Sequence, residues 1–181
     1  MNEKIKKVLN KIEELNGSER KFWCIPKSTA KFLRFLIIAS NSKTVLEFGC
    51  SIGYSAIWMA SAADHVYTTE VDEERAELAD ENFKEAGVDA KITLYQEDIM
   101  DVIARWKISI DFVFIDAAKK QYLSYYEHVM PLLKSGGLIV ADNCISHANA
   151  MRDFLDKVVI DSRVSATLLD VDNGLMLICK K

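Results

Sequence analysis

The stretch Val45-Leu46-Glu47-Phe48-Gly49-Cys50-Ser51-Ile52-Gly53-Tyr54-Ser55 decides how the rest of the chain is read. A short apolar run ends in an acidic residue, two glycines follow four positions apart, and a helical pattern begins at Tyr54. Glycine lets the backbone turn sharply and approach a ligand closely, while the first turn of a helix offers unpaired N–H groups. In an open α/β sheet such a loop lies at the carboxyl ends of the strands, where ligands bind. The spacing is G-x-x-x-G, so the dinucleotide fingerprint G-x-G-x-x-G is absent; so is a phosphate loop, because no Gly-Lys-Ser/Thr follows. The alternative for this stretch alone is a tight strand-to-helix turn with no ligand.

Outward from this loop, short apolar strands at 44–48, 66–70, 91–95, 111–115 and 138–141 alternate with helical patterns near 54–63, 73–86, 99–106, 122–133 and 147–159. Such alternation predicts an α/β fold with an open, mostly parallel sheet covered by helices on both faces. The last two strands, 164–169 and 175–179, flank Asp170-Val171-Asp172-Asn173-Gly174. Its Asn-Gly pair suits a hairpin turn, so a seven-stranded sheet closed by a C-terminal antiparallel hairpin is expected. Before the core, Ile5, Val8, Leu9, Ile12 and Leu15 recur at helical spacing over 2–16, and Asn16-Gly17-Ser18 stops that helix. A second helix is expected over 28–40, after Pro26.

The 181 residues, half of them hydrophobic, predict one domain, with N-terminal helices over 1–42 and a cofactor-binding core over 43–181. No apolar run approaches membrane-spanning length, and the charged opening Met1-Asn2-Glu3-Lys4 is no signal peptide. Four scattered cysteines without a C-x-x-C pair argue against a zinc site or a disulfide framework and for a reduced, cytoplasmic setting. A net charge of −4 gives no support to a nucleic-acid surface.

Glu70 ends the second strand, roughly twenty residues beyond Glu47, where an acidic side chain suits the hydroxyls of a ribose. Loop and acid together indicate a nucleoside-containing cofactor. Two further strands end in oxygen donors: Phe112-Val113-Phe114-Ile115-Asp116 in a carboxylate, and Leu138-Ile139-Val140-Ala141-Asp142-Asn143 in a carboxylate and a carboxamide. On adjacent parallel strands these donors converge at the cofactor rim, a set that suits a hard divalent cation such as Mg²⁺. Read singly, Asp116 and Asp142 are helix caps and Glu70 a solvated strand-end charge.

With those residues in view, Leu46-Glu-Phe-Gly-Cys-Ser-Ile-Gly-Tyr-Ser-Ala resembles motif I of class I S-adenosylmethionine-dependent methyltransferases. More narrowly it resembles the metal-dependent catechol and caffeoyl-coenzyme A O-methyltransferases, a likeness running from about Ile25 to the C-terminus. The resemblance implies a Rossmann-like methyltransferase fold, with S-adenosylmethionine and a divalent cation as cofactors. By it, Glu47, Gly49 and Gly53 shape the cofactor pocket, Ser51 and Ser55 lie near the methionine carboxylate, Glu70 holds the ribose, and Asp98 neighbours the adenine. Ile115-Asp116-Ala117-Ala118-Lys119-Lys120-Gln121-Tyr122 resembles the family's D-A-D-K-x-x-Y segment. That implies metal ligands Asp116, Asp142 and Asn143, with Asp116 also facing the cofactor, and Lys119 as the catalytic base or hydroxyl-orienting group. Lys119 read alone is a solvated lysine.

The expected reaction is methylation of one hydroxyl of a vicinal dihydroxy, small-molecule acceptor. A hydroxylated nucleoside in tRNA and a non-catalytic cofactor-binding role are the competing readings. The missing G-x-G-x-x-G disfavours a nicotinamide oxidoreductase. Departures from the family fall on the acceptor side. Ala118 replaces the acidic third residue of D-A-D-K, Ala30 stands where relatives carry glycine, and Cys144-Ile145-Ser146-His147 leads at once into a helix where the family has a long covering loop. Relatives are commonly dimers, so a homodimer is expected. Phe22, Trp23 and Ile25 read either as part of a lid or as an N-terminal packing cluster, and modification of Cys50 or Cys144, which flank the presumed site, is expected to inhibit.

Overall fold

A computed structural model of the chain describes residues 1–17 and 21–181. In chain order the elements are α1 (Glu3–Asn16), α2 (Lys27–Ala39), β1 (Thr44–Phe48), α3 (Tyr54–Ala60), β2 (His65–Thr69), α4 (Glu73–Ala86) and β3 (Ile92–Tyr95). There follow α5 (Ile99–Ala104), β4 (Ile110–Ile115), α6 (Tyr122–Val129), β5 (Leu133–Ala141), α7 (Arg152–Ile160), β6 (Val164–Leu169) and β7 (Leu175–Lys180). Local chemistry sets several boundaries. Asn2 caps α1 by accepting from the Ile5 N–H at 2.9 Å, and Asp72 caps α4 by accepting from the Arg75 N–H at 3.0 Å. Gly17 ends α1 at φ +56°; Ser18, the third residue of the expected stop, lies outside the described residues.

The seven strands form one sheet in the order β3-β2-β1-β4-β5-β7-β6. The first five are parallel; β7 runs antiparallel between β5 and β6, pairing Ala141 with Met176 and Val164 with Lys180. Strand alternation divides the core in two. Val45, Val66, Phe112, Phe114 and Val140 pack under α1–α4, whereas Leu46, Phe48, Val113, Ile115 and Ile139 pack under α5–α7. Burial on both faces is why these strands read as continuous apolar runs.

Two expected elements end differently. The helical pattern over 122–133 stops at Val129, because Pro131 has no N–H to extend the ladder, and Leu133 already begins β5 opposite Ile110. The pattern over 147–159 opens as a 3-10 turn, Ala148–Met151, before α7. What positions the site is the order of the strands. The chain passes from β1 outward to β2 and β3 on one side and then crosses back to β4 on the other side of β1, and this reversal opens a crevice at the carboxyl ends of β1 and β4.

Candidate active site

The glycine loop folds under three positive φ angles, Gly49 (+83°), Ser51 (+49°) and Gly53 (+86°). Each glycine answers a different demand. A Cβ on Gly49 would stand 3.0 Å from the carbonyl oxygen of Asp116, so glycine lets β1 and β4 converge at their ends. A Cβ on Gly53 would run into the Phe83 ring of α4, so that glycine serves packing behind the loop. The Cys50 N–H donates to the Thr69 carbonyl at 3.0 Å, and the Ser51 N–H donates to Glu70 Oε2 at 3.0 Å. Glu70 is 7% exposed; its other oxygen accepts from the Asp72 N–H at 3.0 Å and faces Arg75 at 3.4 Å.

Above this loop lies a cavity of about 760 Å³. Gly49, Ser51, Ser55, Glu70 and Asp98 line one part of it, and Asp116, Lys119, Asp142 and Asn143 another. The structure therefore brings together nine positions singled out in the sequence, from β1, β2, β3, β4 and β5 and their following loops. Two others stand apart. Gly53 lies behind the loop, and Glu47, fully buried, points to the α1–α4 face of β1, where its Oε2 accepts from Thr68 Oγ1 at 2.6 Å. Neither forms the cavity wall; of the three residues expected to shape the pocket, Gly49 lines it and these two lie behind it. Ser51 lines the cavity, but its hydroxyl donates to the Phe22 carbonyl at 2.7 Å instead of pointing free toward a ligand. Asp98 both lines the cavity and caps α5, accepting from the Met100 N–H at 2.8 Å.

Burial shapes the electrostatics. It pushes the Glu47 carboxyl up to about 7, with the charges of Asp116 and Glu70 adding to the effect. It pushes Asp142 up to about 6, again with help from Asp116. Asp142 Oδ1 and Asn143 Oδ1 are buried without a hydrogen-bond partner, and Asn143 holds a left-handed φ of +65°. Buried oxygens aimed into a cavity without a donor are costly unless something positive meets them. Asp116, Asp142 and Asn143 are all hard oxygen donors, so this set fits a divalent cation. Among the described residues no three His, Cys, Asp or Glu side chains gather; the third donor here is a carboxamide. Lys119 Nζ reaches Asp116 Oδ1 at 2.7 Å, at the same rim.

The cysteines are a correction. Cys50 and Cys144 are 3% and 1% exposed, and burial pushes Cys144 up to about 12 and Cys50 well above its ordinary value, so neither is an accessible thiolate. The Phe22–Ile25 segment does border the cavity: Trp23, 72% exposed at φ +51°, stacks over the Arg75 guanidinium at 5.4 Å, and Cys24 and Ile25 line the wall. Arg75, Tyr125 and Asn173 also line the cavity and were not singled out from the sequence. Only Asn173 carried a local signal, the Asn-Gly turn, and that signal spoke of a hairpin and not of a site.

Fold and cavity together define an α/β protein with a ligand crevice at the carboxyl ends of its parallel strands. A family model described as O-methyltransferase matches residues 4–181, and the chain belongs to that family. It is 29% identical to a caffeoyl-CoA O-methyltransferase of Medicago sativa, over 88% of this chain and 76% of that one. It is 33% identical to a catechol O-methyltransferase of Niastella koreensis, over 67% of this chain and 58% of that one. An O-methyltransferase from Bacillus cereus, solved in complex with SAH, superposes with a TM-score of 0.85 at 24% identity, covering 100% of this chain and 92% of that one. Among the described residues no helix is long and apolar enough to cross a membrane.

Proposed function

We propose that the chain transfers the methyl group of S-adenosylmethionine to one hydroxyl of a vicinal dihydroxy, catechol-like acceptor, and that transfer depends on a divalent cation. The observation that carries this reading is the pair of buried, unpartnered oxygens, Asp142 Oδ1 and Asn143 Oδ1, beside Asp116 on the rim of the cofactor cavity. The names of the catechol and caffeoyl-CoA relatives support the acceptor class.

Asp116, Asp142 and Asn143 would hold the cation, which when bound supplies a Lewis acid for two neighbouring acceptor oxygens and lowers the pKa of one hydroxyl. The chain's own residues do the rest. The wall of Gly49, Ser55 and Glu70 holds the cofactor, so that methyl donor and acceptor meet without a bimolecular search. Lys119 would orient the hydroxyl as an ammonium, or take its proton once the cation engages Asp116 and the ammonium has given its own proton to solvent. S-adenosylmethionine, when bound, would supply the methyl group, the new O–C bond forming as the S–C bond breaks and that electron pair staying on sulfur. Asp116 orients Lys119 through the 2.7 Å contact.

The test is methyl transfer to a catechol with Mg²⁺ or with chelator, on the natural chain and on Asp142→Ala, alongside calorimetry with S-adenosylmethionine. Chelation should abolish turnover, and Asp142→Ala should lower kcat/KM by at least about 100-fold while cofactor affinity changes little. Full turnover in chelator would remove the cation from the mechanism.

A further inference from the structure

The Asp142–Asn143 corner is held from two sides. On the β4 side, the Asp142 N–H donates to the Ile115 carbonyl at 3.0 Å, an extension of the sheet. On the other side, three successive N–H groups after Asn143 donate into the turn between β6 and β7: Cys144 to the Gly174 carbonyl at 2.9 Å, and Ile145 and Ser146 to the Asn173 carbonyl at 3.1 and 3.0 Å. Gly174, at φ +88°, leaves no room for a Cβ against Ile145, so corner and turn are in direct backbone contact.

That turn is anchored elsewhere. Asp172, at φ +51°, accepts through Oδ2 from Ser28 Oγ at 2.6 Å and from Thr29 Oγ1 at 2.7 Å. Thr29 is fully buried, and both hydroxyls belong to the first turn of α2, whose N-cap, Pro26, offers no side-chain acceptor. A carboxylate there satisfies two hydroxyls and complements the positive end of a thirteen-residue helix. The chain of contacts thus runs from α2 through Asp172 to the backbone at 173–174, and from there to Asn143.

We propose that Asp172, clamped by Ser28 and Thr29, is a positioning residue that keeps Asp142 Oδ1 and Asn143 Oδ1 converged for the cation. This rests on the cation reading of the same site. Asn accepts the left-handed conformation readily but does not require it, and the backbone bonds from 144–146 to the turn are what fix the corner at this angle, so a freed turn lets the carboxamide swing out of register. Partners that orient ligating side chains typically govern metal affinity by about 10–100-fold.

The experiment measures Mn²⁺ binding by electron paramagnetic resonance on the full chain in the presence of S-adenosylhomocysteine, with calorimetry of that nucleoside as an independent readout. Wild type should bind Mn²⁺ and Asp142→Ala should not; failure of wild type to bind overturns the cation reading and this proposal with it. Asp172→Ala should weaken Mn²⁺ by about tenfold or more, with nucleoside affinity nearly unchanged. Asp172→Asn keeps an acceptor for both hydroxyls without the charge, and should return affinity to within about threefold of wild type. Ser28→Ala/Thr29→Val, which removes the clamp from the other side, should reproduce the Asp172→Ala loss and decides the matter should Asp172→Ala not fold. Wild-type Mn²⁺ affinity in a folded Asp172→Ala or in the clamp double variant overturns the proposal. So does an Asp172→Asn as weak as Asp172→Ala, which would mean that charge and not position is what Asp172 provides.

Discussion

Glu47 is a carboxylic acid placed where water cannot reach it, and its proton is therefore coupled to folding. Its ordinary value is 4.5 and the fold raises it to about 7. Between those two values the folded chain keeps a proton that the unfolded chain has released. Stability from this group is accordingly intact below about pH 4.5, declines as pH rises through about 7, and is not regained above it. The expected size is roughly 3 kcal/mol at most. Thermal melts from pH 5 to 8 should show this decline, and Glu47→Gln should flatten it; an unchanged profile in the variant would mean another group is responsible. The sequence marked Glu47 as acidic and adjacent to the loop, but not where it points. Strand alternation answers that, since Glu47 shares a face with Val45 and pairs across the sheet with Thr68, so its side chain enters the α1–α4 core. Asp116, Lys119, Asp142 and Asn143 were legible for the opposite reason. They lie just past strand ends, and all four line the cavity.

Among elements, the informative one has no regular structure. The segment from Phe22 to Ile25 crosses from α1 to α2 and is pinned to the glycine loop by Ser51 Oγ on the Phe22 carbonyl, and to α1 by the Phe22 N–H on Asn16 Oδ1 at 3.1 Å. Because Trp23, Cys24 and Ile25 border the cavity, the Ser51 hydroxyl ties that edge of the cavity to the glycine loop. Losing one such bond costs about 0.5–1.5 kcal/mol of folding stability, so Ser51→Ala should lower Tm by a few degrees and, where binding must re-order the segment, weaken S-adenosylmethionine by up to about tenfold. Calorimetry checks this, and wild-type affinity in the variant would show that the segment docks without the hydroxyl. No periodicity could have revealed this link, because it joins a loop to a loop across nearly thirty residues. Helix limits were blurred in a similar way. The apolar pattern of 122–133 runs unbroken through Pro131, and only the missing N–H separates α6 from β5.

At the scale of the molecule, the strand order is what the alternating pattern made readable, down to the closing hairpin with Asn173-Gly174 at its turn. Less readable was that this hairpin buttresses the site, since the contact joins residues thirty positions apart by way of a backbone turn. Placement of β7 between β5 and β6 makes the sheet's far half depend on one six-residue strand. A chain cut after Gly174 leaves β5 with an open edge and Ile139, Ala141 and Met151 without their cover from Met176 and Ile178. Such a chain should bind a hydrophobic dye and lose the cooperative melt of the intact protein; a native-like melt would show that β7 is dispensable.

The same arrangement sets an order of events during synthesis. Every residue proposed to hold cofactor or cation is made before β7, yet the corner at Asn143 gains its second support only when 173–174 is in place and β7 pairs with β5. A ribosome that has released the first 140 residues has delivered most of a nucleoside pocket beside an unguarded strand edge. Between translating β5 and translating β7 the chain carries β5 with an unpaired edge, a form open to misassociation, and the corner at Asn143 lacks its second support until that interval ends.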